Sequence, residues 1–427
     1  MKKLTFFLVI LLILVAGAQL FTSNAAKSQI DAYIAMLENS QNLNIESKDI
    51  KHNIFGSQID LKLLANVFDE KVEFNLNFKN SYVILPQFSK VEGNLSAPYE
   101  GLKNLFGTQT PITFKAKMGF SKSEIIMNIA PVSIDEKFKI NESIASLFLR
   151  GDKFKAFELE MPKILIEDED FKTQLSGVKY YLNYDEPVNI DDISKKIFDS
   201  TAGMSIDNIV LNSMIFSVKF NDLFFDTKIV KNLNKYNIIS NTSIKNMDLL
   251  KIKIDDIALD FYFNNLDVKA TERLCELDEK KMQNDLLVNN EFSKLIDNTS
   301  NFELRNFGFK ANDGEVKLNL KLALHQNYTQ EKFMDIKNYL LLDGEFSASK
   351  PLSAMFGAFG AEFKAIEQSA LSSGMLKESG DGYNAIFKMR ENKFTINGIE
   401  QNTSFLDENT GSDDAKTMEK MYEDFQN

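Results

Sequence analysis

Apolar and polar residues alternate with a period of two along most of this chain. In PITFKAKMGFS (residues 111–121), Ile112, Phe114, Ala116, Met118 and Phe120 alternate with Thr113, Lys115, Lys117 and Gly119. That spacing predicts a strand with one dry and one wet face. The same grammar returns in SQIDLKL, KVEFNLNFK, KAFELEM, IFSVKFND, LLKIKIDDIALDFYF and VKLNLKLAL. Between such runs, Asn312-Asp313-Gly314, Asp343-Gly344, Gly380-Asp381-Gly382 and Asn397-Gly398 supply the positive φ that tight turns between antiparallel strands need. One wet face per strand and short turns indicate antiparallel meanders rather than a parallel sheet buried under helices.

Three stretches break this period. NAAKSQIDAYIAMLEN places Ile30, Tyr33, Ile34 and Leu37 at helical spacing with Asn24 as the N-cap, which predicts a stalk helix over residues 22–43. Residues 270–300 form a helical segment with Leu274, Leu277, Leu286 and Leu287 facing inward. Pro351 opens a helix near residues 351–372 that carries Met355, Phe356, Phe359 and Phe363. Strand-rich regions fill residues 44–269 and 301–406, and an acidic tail runs over residues 407–427, with Met418, Met421, Tyr422 and Phe425 as its apolar positions.

The N-terminus bears on the compartment. Lys2 and Lys3 precede an apolar run from Leu4 to Phe21, broken only by Thr5, Gly17 and Gln19. Spanning the hydrocarbon takes about 17–25 residues, so residues 4–21 suffice for an uncleaved anchor. Ala16-Gly17-Ala18 and Ser23-Asn24-Ala25 also satisfy the small-x-small requirement of a cleaved signal peptide. Basic residues at the start place the rest of the chain outside the cytoplasm in both readings. The expected fold class is therefore α+β, mostly β: an anchor helix, then a long, curved antiparallel β-sheet with a few covering helices. The expected location is the inner membrane, single-pass, with the bulk in the periplasm; cleavage would instead release a soluble periplasmic protein.

Composition narrows the function. Formal charge is −12 and the pI is near 5.0, which argues against nucleic acid as a partner and against docking of the body on anionic lipid. The single cysteine, Cys275, has no internal disulfide partner. His52 and His325 have no second ligand at metal spacing, and no H-E-x-x-H, C-x-x-C, G-x-S-x-G or Gly-rich phosphate loop occurs. His52 reads as a strand-edge or turn residue. Ser176–Lys179 and Ser347–Lys350 match S-x-x-K but lack the K-T-G segment that chemistry needs. Glu276 beside Cys275 disfavours an activated thiolate. The acid run Glu167-Asp168-Glu169-Asp170 lacks the spacing that wraps a loop around calcium. No catalytic, cofactor or metal residue is assigned. Asn94 and Asn402 lie in Asn-x-Ser/Thr sites with an acid two residues ahead, an extended glycosylation signal.

The apolar strand faces admit two readings. Phe74, Phe78, Phe114, Phe120, Phe216 and Phe220 either line a trough that shields lipid tails or build an ordinary core under helices, and periodicity does not separate these. The matching functions are a non-enzymatic envelope protein that binds a partner protein, or itself, through its sheet, and a lipid-binding or lipid-transfer protein. A hydrolase built from converging carboxylates is the third reading.

A resemblance joins these readings. TQTPITFKAKMGFSKSEIIMNIAPVSIDEK is similar in layout to a region of the YdgA-like family of bacterial envelope proteins, whose molecular function is uncharacterised. Thr110, Pro111, Gly119, Phe120, Ser121 and Pro131 carry the match. NIFGSQIDLKL resembles that family's early Gly/Phe-Ser strand, and ENKFTINGIE its late Asn-Gly hairpin. The resemblance implies an exported, inner-membrane-anchored protein with a strand-rich periplasmic body and allows a dimer. It implies no catalytic residues, and the acidic end DENTGSDDAKTMEKMYEDFQN departs from the pattern.

Overall fold

The computed structural model describes residues 43–67, 70–82, 89–98, 100–119, 121–135, 137–168, 170–193, 196–214, 216–249, 252–275, 291–357 and 360–401, preceded by 19, 22–28, 30–32, 34–35 and 38. The anchor run up to residue 18, Tyr33, Leu37, Phe120, Leu277, Leu286, Leu287, Phe359 and the acidic tail lie outside the described residues. Among the described residues no helix is long and apolar enough to cross a membrane. The chain divides into two compact units, Met1–Ile193 with Ser200–Lys219, and Ser194–Asp199 with Phe220–Asn427.

The first unit is built on twelve strands: β1 (Leu43–Asn53), β2 (Gly56–Val67), β3 (Glu70–Tyr82), β4 (Ser89–Ser96), β5 (Ile112–Met118), β6 (Ser123–Ile129), β7 (Val132–Ile134), β8 (Phe138–Ile140), β9 (Ser143–Arg150), β10 (Lys153–Glu167), β11 (Phe171–Val188) and β12 (Ser200–Ser213). Every pairing is antiparallel. The order runs β1-β2-β3-β4-β5-β6-β9-β10-β11-β12, and β8 joins β10 beside β9 and carries β7. The alternation read from the sequence explains this directly, because each strand supplies its apolar face to the same side. Ile59, Leu61 and Leu63 are buried with Ile30 and Ile34, which lie among the helical residues between 22 and 35. Residues 22–28 are already helical, so Asn24 lies inside a helix rather than at its cap. A short helix, Glu100–Phe106, interrupts the strands between β4 and β5.

The second unit contains β13 (Ser217–Asn232) from Phe220 on, then β14 (Lys235–Leu249), β15 (Ile252–Asp267), β16 (Asn301–Ala311), β17 (Gly314–Leu324), β18 (Leu340–Ala348), β19 (Lys377–Ser379), β20 (Gly382–Arg390), β21 (Lys393–Ile396) and β22 (Ile399–Gln401). β14 to β18 pair in sequence, β18 pairs β20, and β20 also carries β19 and β21. Helices cover parts of this sheet. Leu352–Met355 places Met355, fully buried, against Ile252, Ile254, Ala311, Val316 and Ala348. Val268–Cys275 starts on the buried Val268, which packs with Tyr236 and Leu266 against Leu295 and Ile296. Phe356 and Phe363 stack at 4.8 Å, joining the short helix to the helix Gly360–Ser372.

The turn signals meet different fates. Asn312 and Asp313 (φ 44° and 60°) and Asn397 and Gly398 (φ 52° and 84°) make turns, and Gly380 (φ 62°) opens another. Asp343-Gly344 instead lies inside β18. Gly344 stands between Leu320 and Phe387 on the neighbouring strands, and a Cβ there would fall 2.4 Å from a Leu320 methyl. The glycine is needed for close approach across the sheet, not for a turn.

Candidate functional site

The phenylalanines named from the sequence fall in both units. Phe74 and Phe78 on β3 are half-buried and pack on the cluster that includes Ile30 and Ile34. Phe78 also meets Phe114 on β5, with ring centroids 6.3 Å apart, beside the buried Val91, Ala116 and Met118. Phe216 precedes β13 and is exposed, and Phe220 is half-buried in the second unit. Phe120 is outside the described residues.

A buried polar cluster lies at the hairpin end of β1 to β4. His52 and Ser57 face each other across the β1–β2 hairpin, with His52 Nδ1 2.5 Å from Ser57 Oγ. The Ser57 hydroxyl also hydrogen-bonds the Tyr82 phenol. Burial pushes the Tyr82 phenol above its usual range; the Ser57 hydrogen bond opposes this and the Asp31 carboxylate adds to it. A serine–histidine contact is half of a nucleophilic dyad. Here Ser57 and Tyr82 are buried, and Ala26 packs on Tyr82, so the contact ties β1, β2 and β3 together. Asn80, Ser89 and Ser123 sit nearby in the register, buried and with no hydrogen-bond partner for their side chains.

The other sequence candidates are held in local structure. The Ser176 hydroxyl accepts from Gln174, and Lys179 pairs with Glu160 at 3.4 Å. Lys350 reaches the Asn312 carbonyl, and His325 Nδ1 accepts from the Asn327 amide. In the acid run, Asp168 pairs with Lys137 at 2.7 Å and Glu167 with Lys172 at 3.0 Å. Among the described residues no three His, Cys, Asp or Glu side chains group as metal ligands. On the polar face of the second unit, Glu303 binds Arg305 and Lys321, and the Arg305 guanidinium lies 4.2 Å over Tyr262. Burial would raise the Glu303 carboxyl, but these two cations hold it below its ordinary value.

Two surface features of the first unit were not visible in the sequence. One is a set of exposed apolar side chains interspersed with the half-buried Phe138 and Leu211 and the buried Thr173. Ile134, Phe138, Ile166, Thr173 and Leu211 form one cross-strand line through β7, β8, β10, β11 and β12, with Phe171 two residues from Thr173 on the same face. Ile134, Ile166 and Phe171 are 47%, 41% and 40% exposed. The other is an open groove of about 850 Å³ lined by Lys117, Glu124, Phe148, Ala156, Tyr181 and Thr201, among others. Each residue of either feature comes from a different strand or is distant in sequence, so only the register brings them together.

No curated protein matches the chain, and no solved structure matches it. One family model matches residues 1–402, and its description, "Bacterial protein of unknown function (DUF945)", names no activity, location or partner. With nearly the whole length matched, this mostly antiparallel β protein belongs to that bacterial family of unknown function.

Proposed function

We propose that the chain is a non-enzymatic protein of the bacterial envelope that works by binding a partner protein through the faces of its sheets. Residues 4–21 anchor it in the inner membrane, and the two units lie in the periplasm. The observation that carries the binding reading is the patch of Ile134, Ile166 and Phe171. Isolated apolar side chains on a surface need no explanation, but here Ile134 and Ile166 flank the half-buried Phe138 on one cross-strand line, with Phe171 beyond the buried Thr173 on the same face, and such a grouping is a candidate interaction site. The ion pair Lys137–Asp168 lies at its edge, whereas Lys172–Glu167, one rung further along the β10–β11 ladder, stands on the opposite face of the sheet. The basic-apolar N-terminus and the similarity to YdgA-like envelope proteins support the location, and a second copy of the chain is one partner that fits.

The test is a double substitution, Ile166→Asp with Phe171→Asp, in the full chain. Both side chains are exposed, so the melting temperature should hold while binding to envelope partners, or self-association, falls at least tenfold. Unchanged association would remove the patch from the account.

A second reading, lipid binding along an apolar trough, is favoured by one observation. Phe302, Leu322 and Leu342 form a cross-strand line on β16 to β18, and all three remain half-buried between the helix-covered ends of the sheet. Mass spectrometry of lipid co-purifying with the full chain tests it; protein free of stoichiometric lipid would exclude it.

A further inference from the structure

The groove on the first unit has a chemistry of its own. Its floor is one cross-strand line: Lys117 faces Glu124, Glu124 faces Phe148, Phe148 faces Ala156, Ala156 faces Asn183, and Asn183 faces Thr201. Small side chains at Ala156 and Thr201 leave the hollow, and Phe148 and Tyr181 give it apolar walls. In a chain of net charge −12, four cations line it, Lys117, Lys122, Arg150 and Lys155, against two acids, Glu124 and Glu158. Lys117 is paired with Glu124 at 3.5 Å, and Lys155 is held by the Tyr184 and Asp185 carbonyls. Arg150 closes the β9–β10 hairpin directly opposite Lys153. Like charges in that position destabilise a sheet. Among the described residues no carboxylate pairs with Lys122, Arg150 or Lys153; the one acid in the turn is Asp152, which is exposed.

A volume of about 850 Å³ suits one small amphiphile rather than a protein face. The geometry points to this groove as a binding site for a single anionic glycerophospholipid. Its phosphate is met by Lys122 and Arg150, with Lys153, opposite Arg150 across the hairpin and outside the groove lining, adding positive charge at the rim, and its glycerol and first acyl carbons lie over Phe148 and Ala156 against Tyr181. This site is separate from the apolar patch: Ala156 and Ile166 lie ten residues apart on β10, about 33 Å of extended strand. Failure of one therefore leaves the other standing.

The experiment is calorimetric titration of the full chain, in a nonionic detergent, with dihexanoyl phosphatidylglycerol, dihexanoyl phosphatidylcholine and glycerol 3-phosphate. The expected result is one site for phosphatidylglycerol, at least tenfold tighter than for either of the others. Arg150→Glu with Lys153→Glu should weaken it tenfold or more, and Ala156→Phe should block it. Lys122→Glu, at an exposed turn position, gives the same loss without touching a strand and guards against a folding defect in the others. Equal affinity for the zwitterionic lipid, or indifference to the charge reversals, would overturn the site. Glycerol 3-phosphate binding as tightly as the lipid would assign the groove to a soluble anion and overturn the lipid.

Discussion

Ser89 is fully buried between Tyr82 and Met118, and its hydroxyl has no hydrogen-bond partner. An unsatisfied buried polar group costs about 1–3 kcal/mol. Ser89→Ala should therefore stabilise the protein by about 1 kcal/mol in denaturant unfolding, and a loss of stability would show that the hydroxyl is solvated in solution. Asp297 is the opposite case. Its carboxylate accepts from Lys235 at 2.6 Å and from the Thr299 amide and hydroxyl at 2.8 and 2.6 Å. Burial works to raise the carboxyl, and these donors outweigh it, so it titrates below its usual value near 3.8. A carboxyl depressed in the folded state stabilises fully above the unfolded value and loses that contribution as pH falls toward the folded one. Stability should thus decline below about pH 4, and Asp297→Asn should be less stable at pH 7 with a shallower acid limb. An acid limb of unchanged slope would contradict the assignment.

Elements were legible in proportion to their periodicity. KVEFNLNFK announced β3 because its apolar residues fall on alternate positions and the sheet buries one side of them. The helix Glu100–Phe106 went unread because EGLKNLF is too short to establish a 3.6 period. Asp343-Gly344 misled for a physical reason: a glycine that permits a turn and one that permits close packing look identical in sequence. Gly93 repeats that packing role. It lies in β4 between Phe78 and Phe114, and a Cβ would come within 2.6 Å of both side chains. Gly93→Ala should destabilise the first unit by about 1–3 kcal/mol, read as a lower denaturant midpoint. An unchanged midpoint would mean that the two rings move apart freely. The candidate sites were illegible for another reason, since Lys117, Phe148, Ala156 and Thr201 become neighbours only through the registers of five pairings.

At the scale of the whole molecule, the described residues are mostly antiparallel sheet. Among the exposed apolar residues, Ile134, Ile166 and Phe171 share one face of the first unit. The proposed function joins that face to the N-terminal apolar run: a protein held at the membrane that would act by presenting a binding surface. The most direct measurement is in-cell photocrosslinking from a photoreactive residue replacing Phe171 in the full chain. The account predicts one discrete protein adduct in the membrane fraction, abolished by Ile166→Asp and displaced to the soluble fraction or lost when residues 4–21 are removed. No adduct above background, or one indifferent to Ile166→Asp, would contradict it.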